Sequence, residues 1–157
     1  MTIDSIGYLV VWLGTISIGI MGGVYFTFSA FVMRSLDKLP AGNAIAAMNS
    51  INRVILGSAF MPLFFGSSLL AIALVVLGPM LFDGVAGYLV AAAGLVYFTG
   101  MLVVTIAGNV PLNERLAGFD AETGDAAVSW RDYLRHWSRW NDVRTVSSVL
   151  ALAMLSI

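Results

Sequence analysis

The side chains in this chain that could do chemistry gather in a few places. In "TIAGNVPLNERL", Thr105, Asn109 and Asn113 recur every four residues, so on a helix they form one polar stripe, with Glu114 and Arg115 directly after it. Pro111 lies within that stripe, removing one helical hydrogen bond and freeing a backbone carbonyl. Tyr25 and Ser29 stand four apart in "YFTFSAFVM", and Asn49, Asn52 and Arg53 close "AMNSINR". The densest stretch is "RHWSRWNDVRT", residues 135–145. It holds three of the eight basic residues, two of the four tryptophans and the one histidine.

At about 100° per residue, the segment around that stretch divides cleanly as a helix. Trp130, Leu134, Trp137, Asn141, Arg144 and Ser148 share a face, with Tyr133 at its edge. Arg131, Arg135, Arg139 and Asp142 fall opposite, and Asp132 also turns away. His136 and Trp140 lie on a flank beside Tyr133. The charged set reads as a solvated face, with Arg139 and Asp142 forming an i,i+3 pair worth about 0.3 kcal/mol.

Asparagine donors and a guanidinium suit phenolic or carbonyl oxygens, and tryptophan and tyrosine faces suit a flat polycyclic body. Phenolates and enolates of electron-rich aromatics react with oxygen once formed. A protein then has to supply a base, oxyanion stabilisation and a dry pocket. On this reading Asn109, Asn113 and Asn141 hold substrate oxygens, Arg144 stabilises the developing oxyanion, and Glu114 or His136 accepts the proton. Tyr25, Ser29, Asn52, Trp137 and Trp140 complete the binding surface. One histidine and no cysteine fall short of the two or three ligands of a zinc or copper centre, so no cofactor is expected. Haem needs a single axial ligand, which leaves His136 as the alternative. No nucleotide-binding loop or nucleophile elbow is present. Taken singly, these residues have plainer readings as an interfacial tryptophan belt, snorkelling arginines and interhelical asparagine glue. Their convergence from several helices favours a site.

The elements that must position them are membrane helices. The chain has 157 residues, 59% hydrophobic and 11% charged, with mean hydropathy +0.91. Soluble domains carry about 25% charged residues, so an ordinary soluble globule is excluded. Near-zero net charge without a basic block argues against nucleic acid. The N-terminal run has no basic leader and reads as a retained helix. Runs at about 6–33, 54–77 and 85–107 exceed the roughly 18 apolar residues that suggest a span. A fourth, about 137–157, belongs to a helix beginning near Ser129. All eight Lys and Arg fall in or beside the intervening loops, about 34–53 and 108–136, which places that side in the cytoplasm. The expectation is one all-α membrane domain over 1–157. It is a four-helix bundle with both termini outside and its last helix extended into the cytoplasm, in a bacterial inner membrane. Two small-residue stripes, Thr15/Gly19/Gly23 and Gly87/Ala91/Gly94, would let backbones approach within the bundle or between copies in a homo-oligomer.

Taken together and in order, "YFTFSAFVM", "AMNSIN", "GNVPLNERL" and "RHWSRWNDVRT" resemble the anthrone oxygenase-like family of small four-helix membrane proteins. The resemblance implies an oxygenase converting polyketide anthrones to anthraquinones without a recognised cofactor motif. By position it points to Asn109, Asn113, Trp137, Trp140, Asn141 and Arg144. There is one departure: the family pattern often has histidine where this chain has Asp142. If that histidine is a base or ligand, Asp142 or His136 has to substitute. Outside that resemblance, the alternatives are a non-catalytic haem- or lipid-binding membrane module and a structural subunit of a membrane complex.

Overall fold

The computed structural model describes residues 3–119 and 125–156, and every regular element among them is helical. The first rod is α1 (Ile3–Thr27), a π-helical turn (Phe28–Val32) and α2 (Met33–Leu36). After a short turn comes α3 (Ala41–Leu56), then α4 (Phe60–Leu81). The next rod is α5 (Gly84–Tyr97), two π-helical segments (Phe98–Val103 and Thr105–Asn109) and α6 (Val110–Ala117). The last is α7 (Ala126–Leu155). Pro111 sits in the first turn of α6 with no N–H to give, and the widened register just before it is the local accommodation.

Ser5–Leu36, Phe60–Leu81 and Gly84–Ala117 are each long and apolar enough to cross a membrane. Helix α7 does not qualify by composition, because its N-terminal half carries the charges. Its 30 residues nevertheless span about 45 Å at 1.5 Å per residue. Asp125 caps it, accepting from the Ala127 and Val128 N–H groups, so it begins a turn before Ser129. α1 packs on α4 and α7, and α5 packs on the same two. Large apolar side chains such as Trp12, Leu69, Met80 and Tyr88 are left exposed on the outside. An outward apolar surface is what a lipid-facing bundle requires.

The second expected run begins differently in the structure. Val54 is in the last turn of α3, a separate amphipathic helix, and α4 starts only at Phe60. The apolar string across "VILGSAF" hides a break at Gly57. There the Ser58 hydroxyl donates to the Ile55 carbonyl and accepts the Phe60 N–H. Pro62 then falls in the first turn of α4, where no intrahelical donor is needed.

Small residues set the spacing between helices, though only one expected stripe takes part. Nothing lies within 4 Å of a Cβ placed at Gly23, and Gly19 would meet only Leu152 at 4.0 Å; Gly22 instead faces Ser148 at 3.0 Å. On α5, a Cβ at Gly87 would lie 2.9 Å from the Gly78 carbonyl oxygen, and one at Gly94 would lie 2.5 Å from that of Ala71. Those are backbone atoms of α4 and cannot swing aside. Gly94→Ala should therefore destabilise the bundle by about 1–3 kcal/mol, read as a lower thermal midpoint in detergent.

Candidate functional site

α7 organises the site. Trp130, Tyr133, Trp137, Asn141, Arg144 and Ser148 are all buried, while Arg131, Arg135, Arg139 and Asp142 are exposed. The aromatic members form a ladder. Trp130 and Tyr133 stack at 5.8 Å, Tyr133 and Trp137 at 6.2 Å, and Phe28 of the π-helical turn meets Trp137 at 5.5 Å. Trp130 Nε1 donates to Asp37, fixing the start of α7 against the turn after α2.

One turn beyond Trp137 lies a buried polar core. Asn141 is fully buried; its Nδ2 donates to the Tyr25 carbonyl and the Ser29 hydroxyl, both at 2.8 Å. Its Oδ1 accepts from Arg144 Nη2 at 2.7 Å, and Arg144 Nη1 reaches Thr105 at 3.3 Å. The guanidinium carbon stands 4.5 Å from the Tyr25 ring centroid and 5.2 Å from that of Trp137, a cation held between two π faces. Arg144 is only 6% exposed, yet among the described residues no carboxylate pairs with it.

These groups line a cavity of about 280 Å³, just under the roughly 300–1,000 Å³ of small-molecule sites. Of the expected residues, Tyr25, Asn52, Asn109, Asn113, Trp137, Asn141 and Arg144 line it, as does Thr105 from the polar stripe. Asn109 Nδ2 donates to the Trp137 carbonyl, tying the π-helical stretch to α7. Asn113 accepts from the Tyr133 hydroxyl at 2.8 Å. Burial pushes the Tyr133 phenol well above its ordinary pKa, despite the opposing pull of the Asn52 side chain and the Arg144 charge, so it remains a donor. Five buried polar atoms of the lining lack a protein partner: Tyr25 Oη, Asn52 Nδ2, Asn109 Oδ1, Trp137 Nε1 and Arg144 Nε.

Four expected residues are not in the lining. Glu114 is exposed, one position past Asn113 and hence about 100° round the helix. His136 lies on the partly exposed flank, its Nδ1 2.8 Å from the Asp132 carbonyl oxygen and 3.2 Å from its carboxylate. This places the expected proton acceptors, and the imidazole a haem would need, away from the cavity. Trp140 is 43% exposed and packs over Gly108, where a Cβ would meet its ring at 2.7 Å. Ser29 stands behind Asn141. Asp142 is also placed differently from its expected pairing. No Arg139–Asp142 ion pair forms among the described residues; Asp142 instead accepts from Ser29 at 2.6 Å. The donors Arg144, Asn141 and Ser29 thus run head to tail from the buried cation to a surface carboxylate.

The apolar walls were not singled out by type. Met48, Ile51 and Ile55 come from α3, and Phe60, Met61, Phe64 and Phe65 from α4. The i, i+3, i+7 spacing on α3 is the signal that could have found the first three. Asn49, by contrast, is structural: its Nδ2 donates to the Leu116 carbonyl and ties α3 to α6.

A family model described as anthrone oxygenase matches residues 52–154. No curated protein and no solved structure matches the chain.

Proposed function

We propose that this chain, which belongs to the anthrone oxygenase family, is a membrane-embedded oxygenase-like protein that oxidises a hydrophobic phenolic, anthrone- or quinol-type aromatic with O₂. The observation that carries this reading is Arg144: a buried cation without a carboxylate partner among the described residues, with a free Nε, at the polar end of an otherwise apolar cavity. Buried charges are costly unless paired, and an anionic oxygen on the ligand supplies the missing partner. Around it, the unpaired Tyr25 Oη and Trp137 Nε1 offer two more donors, and Asn109 Oδ1 accepts from a substrate hydroxyl. Asn52 and Asn113 add further amide groups to the lining. In this reading the α1, α4, α5 and α7 rods all cross the cytoplasmic membrane, both termini face outward, and the arginine-rich ends face the cytoplasm.

Among the described residues no carboxylate or imidazole lines the cavity, so the protein's contribution is charge stabilisation. The guanidinium lowers the free energy of the enolate or phenolate relative to the neutral form, and the proton given up ends on the oxygen that departs as water, with no role for Glu114 or His136. Dioxygen, itself apolar, partitions into the same walls. For anthrone the balance is substrate plus O₂ to anthraquinone plus water. One oxygen atom ends on the former methylene carbon, and the other leaves with its two hydrogens.

The test is oxygen uptake with anthrone in proteoliposomes, with anthraquinone quantified. Uptake should exceed that of protein-free vesicles and survive His136→Ala to within about a factor of two, as for a surface change of about 0.5 kcal/mol. Loss of turnover in His136→Ala at unchanged folding would move the chemistry to the imidazole and sink this assignment. Binding without uptake would select the lipid-binding module, which the apolar lining also suits.

A further inference from the structure

The cavity opens on the side of the molecule that is apolar. Four of its lining residues are also exposed on the outer surface: Leu56 (66%), Phe65 (55%), Ile106 (59%) and Val110 (38%). They come from the end of α3, the first turns of α4, and the second π-helical segment with the start of α6. The mouth therefore lies between the α3–α4 corner and the α5–α6 rod. No charged or hydrogen-bonding side chain stands among these four. Among the described residues Arg144 is the single charged member of the lining, and it sits at the buried end. On the opposite, polar side, Tyr133 bonded to Asn113, Asn49 bonded to the Leu116 carbonyl and the Trp130–Tyr133–Trp137 ladder hold the helices together.

A route from water would leave four apolar side chains wet at the rim. A route from lipid leaves them in the solvent they match. We infer that the cavity is loaded sideways from the bilayer through the Leu56/Phe65/Ile106/Val110 mouth, by a membrane-dissolved amphipath that leads with one acidic oxygen and trails an apolar body. The access route stands on the rim alone. The ligand class rests on the reading of Arg144 given above. The shared chemistry, an anionic oxygen on an apolar body, is met by a hydroxylated polycyclic aromatic and by a fatty acid.

Two measurements separate these parts. The chain has no cysteine, so Phe65→Cys, Ile106→Cys and the water-exposed control Arg115→Cys can each carry one nitroxide label in proteoliposomes. Labels at Phe65→Cys and Ile106→Cys should be relaxed more strongly by dissolved oxygen than by a water-soluble nickel chelate, and Arg115→Cys the reverse. Stronger nickel relaxation at either mouth position overturns lateral access. In the second measurement, vesicles preloaded with 1-hydroxyanthraquinone or with decanoate are mixed with the proteoliposomes, and tryptophan fluorescence is followed in time. Ile106→Trp should slow association and dissociation together by about tenfold, because a plug at a mouth changes rates more than equilibrium. Unchanged rates, or a change in affinity carried by one rate alone, overturns the gate. Saturation by the aromatic alone identifies a polycyclic ligand, and saturation by decanoate identifies a lipid. Saturation by neither, with lipid-exposed labels, overturns the ligand class and the proposed function while the mouth stands.

Discussion

Arg144→Met is expected to cost at least about a hundredfold in turnover or in affinity for a phenolate ligand, with the thermal midpoint unchanged or raised. The two effects have different origins. Function loses the cation that stabilises the ligand's anionic oxygen, and removing one such donor from a dry site typically costs 10²–10³, about 2.7–4 kcal/mol. Stability loses a guanidinium that carries a desolvation penalty with, among the described residues, no carboxylate to offset it. Methionine fills much of the same volume between the Tyr25 and Trp137 rings and contacts aromatic faces well. Thermal unfolding in detergent, measured beside anthrone turnover, checks both halves. A variant that is strongly destabilised while its surviving folded fraction turns over normally would show Arg144 to be structural glue.

Asn141→Asp tests the same cation from inside the protein. The Asn141 Oδ1 is already 2.7 Å from Arg144 Nη2, so an aspartate there provides the partner the guanidinium lacks. Affinity for an anionic ligand should fall by about 10–100-fold, because the ligand now competes with an internal carboxylate. Stability should fall too, by about 1–3 kcal/mol. The donor to the Tyr25 carbonyl and Ser29 is lost, and an acceptor takes its place. The decisive comparison is the double variant. In an Arg144→Met background, Asn141→Asp should lower affinity little further, a non-additivity expected only if both act through one charge. Additive losses would mean that Asn141 touches the ligand independently of Arg144.

The face of α7 was legible because it is a property of one helix: residues 130, 137, 141, 144 and 148 share a side at 3.6 residues per turn whatever packs there. The Thr105/Asn109/Asn113 stripe was legible for the same reason, and it keeps one face even through the widened turns. The break at Gly57 was not. An apolar run through a Gly-Ser corner has the same hydropathy as a continuous span, and the backbone turn at Gly57 with the Ser58 hydrogen bonds distinguishes them. Asp142 was misplaced because its partner is 113 residues away in sequence. The i,i+3 rule offered Arg139, whereas in three dimensions Ser29 is the nearer donor.

What the sequence by itself determined is local: the apolar lengths, the amphipathic faces and the family signature. The tertiary structure decided which of those faces meet, and at what depth. Gly108 lets the Trp140 ring lie directly on the α5–α6 rod, Gly100 admits Ser147, and Gly22 admits Ser148. Those close approaches hold α7 at one rotation, which turns Trp137, Asn141 and Arg144 into the cavity and leaves His136 and Trp140 outside it. Helical periodicity sorts residues around an axis, but it cannot say where that axis stops turning. That is decided by steric contact between helices, where a missing side chain on one admits a side chain from the other.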